Sequence, residues 1–440
     1  MTTQTDQAVE ERIGELLRHL GIGRAHFAAC MPRDWEGLVT GYPEIVSSLT
    51  LVCPMGISPR ALRANNRRLL VVTGDRGRSA EEARRSLVGL PTATWVTLRD
   101  YFGLPWADTI ADRTEEIGAA MMDFLARSEE GGLGRAPDLR EGEGEIAEIS
   151  YSIRGSGPPL ILLPLALAPS QWQPLLSLLS TRYCTITLGG PRLGMVAHLE
   201  ARACAGYLGV VRRLLDEAQL RPGEDVLEVG CGSGAIVRWL ARRVAGANRI
   251  VAVDVNRYLL REAAALAAKE NLAGTIEFRE GNAEALSFID DQFYVTLSCT
   301  VLEEGDADRM LAEFVRVTKP GGRVAVVVRS TDMPRWVNLR LSTELKKKVE
   351  APQLLGGNVQ ENGCADASLY RRMRQAGLVQ VRMIPQLASH AEGERLQYMQ
   401  DRILAALEPG EIDEWRAAIA QAGGTFFIAE PFHCAVGTKP

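Results

Sequence analysis

A chain of 440 residues is too long for one ordinary domain and implies two or three. Its formal charge of −5 argues against general nucleic-acid affinity, which needs a basic face. No apolar run approaches the ~20 residues of a membrane span, and Pro164 interrupts the nearest, residues 160–168. The N-terminus lacks the basic-then-apolar layout of a signal peptide, so a cytoplasmic protein is expected. The eight cysteines form no C-x-x-C pair, which indicates neither a zinc site nor a disulfide framework, and no metal is expected.

In chain order, the pattern predicts a helix over 9–20, a strand over 25–29 and a helix ending near 42–44. Strands over 48–54 and 68–75 follow, then a closing helix over 110–127. Residues 128–145 are rich in glycine and charge without periodicity, and read as a flexible linker. Beyond it, 149–164 reads as strand, turn and strand, 172–179 as a helix and 183–188 as another strand.

The later segment resembles the opening of an α/β-hydrolase, and the earlier one its second half. Residues 1–200 therefore resemble an α/β-hydrolase domain with its halves exchanged, with the linker near 128–145 joining the old termini. The chemistry of that family is expected to be missing. Its G-x-S-x-G nucleophile turn corresponds to Ala29-Cys-Met-Pro-Arg33, with Met31 at the nucleophile position. Pro164-Leu165 replaces the His-Gly of the oxyanion hole, and 101–108 contains no histidine. Asp75 alone falls near a triad position, where an acid has no base to orient. Cys30, with His26 four residues earlier, reads as a structural thiol, and no esterase activity is expected.

Residues 225–229 then read as a strand running into Gly230-Cys-Gly-Ser-Gly234. A helix over 235–244 and a strand over 249–254 complete a βαβ unit, with Asp254 at the second strand's tip. The glycines let the backbone approach a ligand closely. Their G-x-G-x-G spacing, with Glu228 ahead of the turn, disfavours a pyrophosphate and suits a ligand carrying ammonium and sulfonium charges.

From Glu228-Val-Gly-Cys-Gly-Ser-Gly234 onward the chain resembles the class I S-adenosylmethionine-dependent methyltransferases, over residues 203–440. Residues 278–284, 293–298 and 311–328 resemble that family's later motifs, and 424–429 with 433–440 its closing antiparallel hairpin. The resemblance implies a Rossmann-like α/β domain and S-adenosyl-L-methionine as cofactor. It assigns Gly230, Cys231, Gly232, Ser233 and Gly234 to the turn under the methionine moiety, with Glu228 orienting that region. Asp254 is to hold the ribose, beside Val255 and Asn256. Asn282, where the family usually has aspartate, and Ala283 are to meet the adenine. Ser298 and Cys299 are to face the reaction centre.

Substrate residues are expected in 300–306, 330–336, 363–368 and a helix around 392–407. Glu303 and Glu304 read either as base or counter-charge, or as acids at a helix start. His433 reads as structural, and Lys346-Lys-Lys348 as a solvated helix face. The expected function is methyl transfer to a small molecule, the alternative being a non-catalytic S-adenosylmethionine-binding scaffold or regulator. The hydrolase-like domain is expected to be a lid, a surface for a homodimer, or a substrate-gathering module.

Overall fold

The computed structural model describes residues 7–54, 56–102, 108–128, 139–352 and 359–440. The chain forms two compact units, Met1–His198 and Leu199–Pro440, and the division falls within the helix Gly194–Arg202. Among the described residues no helix is long and apolar enough to cross a membrane.

The first unit is built on an eight-stranded sheet. Its strands are β1 (Ala25–Ala29), β2 (Val46–Val52), β3 (Leu69–Arg76), β4 (Thr94–Phe102), β5 (Gly142–Ile146), β6 (Ile149–Arg154), β7 (Pro159–Leu162) and β8 (Cys184–Gly189). The spatial order is β4-β3-β2-β1-β7-β8-β6-β5. The run from β4 to β8 is parallel, and β6 and β5 close one edge antiparallel. Every residue of β1 and β2 is buried, as expected of central strands covered on both faces. Ile13, Leu16 and Trp35 from flanking helices pack against Phe27, Leu49 and Leu51 of these strands.

Three expectations change here. Residues 142–145, read as the end of the linker, belong to β5, which pairs with β6 from Gly142↔Ile153 to Ile146↔Ile149. Ala147 and Glu148 make the tight turn at φ 51° and 62°, values typical of a two-residue hairpin. The tertiary partner Arg12 fastens that turn, donating to the Ala147 carbonyl and to Glu148 at 2.9 Å each. Residues 129–138 of the expected linker, and 103–107 of the segment searched for a histidine, lie outside the described residues. The helix expected over 110–127 is two, Thr109–Asp112 and Thr114–Ser128, broken where Arg113 leaves helical geometry at φ −137°. Strand β4 was not anticipated, because Thr94–Phe102 is a largely exposed edge with little apolar alternation.

The second unit holds a nine-stranded sheet. Its strands are β9 (Val226–Val229), β10 (Ile250–Asp254), β11 (Ile276–Glu280), β12 (Phe293–Cys299), β13 (Thr318–Arg329), β14 (Trp336–Val337), β15 (Val379–Met383), β16 (Gln386–His390) and β17 (Ile428–Thr438). The order is β11-β10-β9-β12-β13-β17-β14, with β15 and β16 also paired to β17. Strands β9 to β13 are mutually parallel, and β17 runs antiparallel against β13. Strand order reverses between β9 and β12, which opens a crevice at their carboxyl ends.

The two faces of the sheet alternate. Ala325 and Val327 join Tyr207, Val211, Leu240 and Phe432 on one side, while Val324, Val326 and Val328 join Phe293, Phe314 and Leu369 on the other. The expected closing hairpin of 424–429 with 433–440 is a correction. Residues 428–438 form one long strand, β17, whose antiparallel partners are β13, β14, β15 and β16. Strands β15 and β16 escaped notice because they are short and largely exposed: no residue of β15 is buried, and in β16 only Ala388 and His390 are.

Candidate functional site

The glycine turn is built at the crevice between β9 and β12. The Gly230 and Cys231 amides both donate to the Val253 carbonyl, at 2.7 and 3.0 Å, so the turn is anchored to β10. Gly230, Gly232 and Gly234 have φ of 79°, 54° and 76°, the left-handed region that glycine enters without steric cost. A Cβ on Gly230 would collide with Val301, and one on Gly232 would stand 2.9 Å from Leu199. Gly234 ends the turn as N-cap of the helix Ala235–Val244.

Asp254 stands at the end of β10. It accepts from the Gly232 amide at 2.8 Å through one oxygen and from the Asn256 amide at 2.8 Å through the other. Burial raises its pKa above the ordinary carboxylate value, against the pull of these two amides. Each oxygen keeps a lone pair for a further donor.

Glu228, on β9, is fully buried, and neither carboxylate oxygen has a hydrogen bond of normal geometry. The Val237 amide exerts only a weak pull. Burial, reinforced by the nearby charge of Asp254 and offset by Arg202, pushes the Glu228 pKa up to about 8. An unpartnered buried acid is costly and calls for a cationic or donor-bearing partner.

The remaining expected residues divide by role. Val255 is 69% exposed beside Asp254, and Ala283 is buried. The Asn282 side-chain oxygen accepts from the Glu284 amide at 2.9 Å, which shapes its own loop. Asn256 is committed to capping the helix Arg257–Lys269, accepting from Tyr258 and Leu259 at 3.0 Å each. Ser298 donates to the Val229 carbonyl at 3.1 Å, which ties β12 to β9 from within the sheet. Cys231 and Cys299 are buried thiols whose pKa values burial raises well above the ordinary range.

Sequence reasoning missed four residues that support this turn. Ser233 donates to Glu200 at 2.6 Å, and Glu200 pairs with Arg238 at 2.5 Å. Arg238 also meets Glu270 at 3.1 Å. Arg202 lies over the Tyr207 ring at 5.2 Å, and its positive charge reaches Glu228, Cys299 and Glu304. Glu200 and Arg202 fall ahead of the recognisable motifs, while Arg238 and Glu270 lie among ordinary charged helix positions, where spacing gives no sign of the pairing.

Among the proposed substrate residues, Glu303 is fully buried and accepts from the Arg329 amide at 2.6 Å. Glu304 pairs with the Arg329 guanidinium at 3.0 Å. The helix that follows, Ala307–Val317, is capped instead by Asp306. His433 meets Asp332 at 2.6 Å, and Asp332 also accepts from Ser330 at 2.8 Å. Lys346 and Lys348 pair with Glu350 and Glu411, at 2.9 and 2.6 Å.

An acid without a normal hydrogen bond beside a three-glycine turn, a second acid at the adjacent strand tip, and a parallel sheet reversing at that point form a site suited to a cationic ligand. Residues 226–322 match a protein family described as methyltransferase domain. The chain is 31% identical over 121 residues to a ubiquinone/menaquinone biosynthesis C-methyltransferase, UbiE, of Legionella pneumophila (strain Corby), covering 27% of this chain and 48% of that protein. It is 36% identical over 128 residues to the nocamycin O-methyltransferase of Saccharothrix syringae, covering 29% and 45%. The chain thus spans about half the length of these curated relatives. An S-adenosylmethionine-dependent methyltransferase from Aquifex aeolicus aligns structurally at 16% identity with a TM-score of 0.32, over 54% of this chain and 92% of that one. The second unit carries a methyltransferase domain whose cofactor is S-adenosylmethionine. The unpartnered Glu228 and the glycine cradle fit that group.

Proposed function

We propose that the protein transfers a methyl group from S-adenosylmethionine to a small-molecule acceptor. The observation that carries this reading is the pair of acids, Glu228 and Asp254, set on adjacent parallel strands around the glycine turn. When bound, the cofactor supplies a methyl already activated by its sulfonium.

The chain's own residues then bind and orient. Asp254 uses its remaining lone pairs for the two ribose hydroxyls. Glu228 offers its carboxylate to the cationic methionine end, and Arg202 takes the cofactor's carboxylate. Gly230, Gly232 and Gly234 let the backbone approach. Val255 and Ala283 give the adenine apolar contact, and the Asn282 loop reaches its edge. Asn256 caps the helix that follows Asp254, and Ser298 ties β12 to β9. Catalysis rests on holding acceptor and methyl in line, which is an entropic and electrostatic contribution that needs no dedicated base.

The reading is supported by relatives named for C- and O-methylation of small molecules. Titration calorimetry with S-adenosylmethionine and S-adenosylhomocysteine tests it. Micromolar binding that is lost in Asp254→Ala, followed by S-adenosylhomocysteine release with an acceptor, is the expected result. Absence of wild-type binding refutes it. Binding without turnover on any small-molecule acceptor favours a scaffold.

We also propose that the first unit is a permuted α/β-hydrolase-like domain without hydrolase activity. Strand β1, from before residues 129–138, lies beside β7, from after them, as exchanged halves of one sheet require. At the expected nucleophile turn Met31 has an ordinary extended backbone, φ −84°, rather than a strained one. The Cys30 thiol donates to the Cys53 carbonyl at 3.4 Å, while His26 bonds Ser48 at 2.7 Å. Asp75 accepts from the Asp100 and Tyr101 amides at 2.7 and 3.0 Å, which holds β4 to β3. Hydrolysis of a p-nitrophenyl ester that vanishes in Cys30→Ala would overturn this reading.

A further inference from the structure

One nucleophile outside the cofactor turn stands apart from the others. Cys204 is half-buried, whereas the other seven cysteines are buried. It occupies the N-cap of the helix Ala205–Glu217. Its sulfur lies 3.3 Å from Nδ1 of His390, a residue only 3% exposed at the end of β16. On the other side of that ring, Nε2 lies 3.6 Å from Oε2 of Glu430 on β17. Glu430 is itself held by Arg395 at 2.5 Å. Thiol, imidazole and carboxylate therefore stand in line, with the carboxylate fixed from behind. That is the order of a nucleophile, its base and a carboxylate behind the base, the last at ion-pair rather than hydrogen-bond distance.

The charges agree with the geometry. Burial opposes ionisation of Cys204, but the His390 hydrogen bond and the Tyr207 and Gly206 amides outweigh it, so the thiol sits below its ordinary value. Burial disfavours the imidazolium, yet Cys204 and Glu430 hold His390 above its ordinary value. Burial of Glu430 is outweighed by Arg395 and His390, which bring it down to about 2. Arg335 also faces Glu430 and adds to that field.

We propose that Cys204 is a thiolate nucleophile, backed by His390 and Glu430, and a site of oxidation by peroxides. The thiolate attacks one peroxide oxygen, an S–O bond forms and the O–O bond breaks. Sulfur is oxidised to a sulfenic acid and the peroxide is reduced. The leaving hydroxide takes the imidazolium proton of His390 and departs as water.

The test is alkylation and oxidation of the full chain, read by peptide mass spectrometry. Iodoacetamide rates at Cys204 are measured from pH 5 to 10 in wild type, His390→Asn and Glu430→Gln. The wild-type midpoint is expected below that of an ordinary thiol, about 8.5. His390→Asn is expected to raise it by a unit or more and to slow alkylation at pH 6.5 about tenfold. Glu430→Gln is expected to fall between them. Hydrogen peroxide followed by dimedone is expected to label Cys204 ahead of the other cysteines. A wild-type midpoint near 8.5, or no dimedone adduct on Cys204, overturns the proposal. Exposure alone would make Cys204 the fastest thiol, but would leave its midpoint indifferent to His390, and that result also overturns it. If His390→Asn loses its far-ultraviolet dichroism, the wild-type profile and Glu430→Gln decide.

Discussion

At the residue scale, Glu228 is the most informative side chain. Its pKa of about 8 means that it is largely protonated at neutral pH in the free protein. A cofactor carrying ammonium and sulfonium favours the ionised form. Binding below pH 8 should therefore release a proton, and affinity should strengthen as pH rises from 6 to 8, by up to about tenfold per unit. Calorimetry in two buffers of different ionisation heat measures that proton. Glu228→Gln should abolish the release and flatten the profile. The same linkage acts on stability with the opposite consequence. Native Glu228 keeps a proton that the unfolded chain loses above about pH 4.3, so the free protein loses stability as pH climbs toward 8. Asp254 is the complementary case, since its two amide bonds aim it before any ligand arrives. Asp254→Ala removes a carboxylate that would accept two hydroxyls. At roughly 1.5–3 kcal/mol for each charged hydrogen bond, affinity should fall by a hundredfold or more.

At the element scale, the turn 230–234 and the hairpin β5–β6 show how local conformation is set. Gly230 combines a left-handed backbone with a close approach by Val301. Gly230→Ala should cost on the order of 1–3 kcal/mol. Adding Val301→Ala should recover the part due to collision and leave the part due to φ. Denaturant titration of the single and double variants separates the two, and an unrecovered double variant would refute the packing argument. In the hairpin, Ala147 bears a positive φ without glycine's freedom. Ala147→Gly relieves that cost and leaves its carbonyl available to Arg12. A gain of about 0.5 kcal/mol is expected, read as a shift in the urea midpoint.

At the scale of the whole molecule, each unit has its own core. Ile13, Phe27, Trp35 and Ile186 lie in one, and Tyr207, Val237, Leu297 and Phe432 in another. Calorimetry of the full chain should show two unfolding transitions. S-adenosylhomocysteine at a hundred times its dissociation constant should stabilise one of them by about 2.7 kcal/mol and leave the other unmoved. Merging into one transition that shifts as a whole would contradict independent cores.

The sequence by itself determined the βαβ unit and the identity of its two acids. Those features are local: a buried strand, a glycine turn, a capped helix and an acid at a fixed spacing, each read from neighbours in the chain. What Asn256 and Ser298 do was decided only in three dimensions, because one caps a helix and the other crosses to β9. The protonation of Glu228 depends on burial and on charges from Asp254 and Arg202, which no local pattern records. Strands β5, β15 and β16 were hidden because they lie at or near sheet edges, where one exposed face dilutes the apolar signal and pairing supplies the order. The meeting of Cys204, His390 and Glu430 joins residues up to 226 positions apart, and only antiparallel pairing of β16 with β17 brings two of them together.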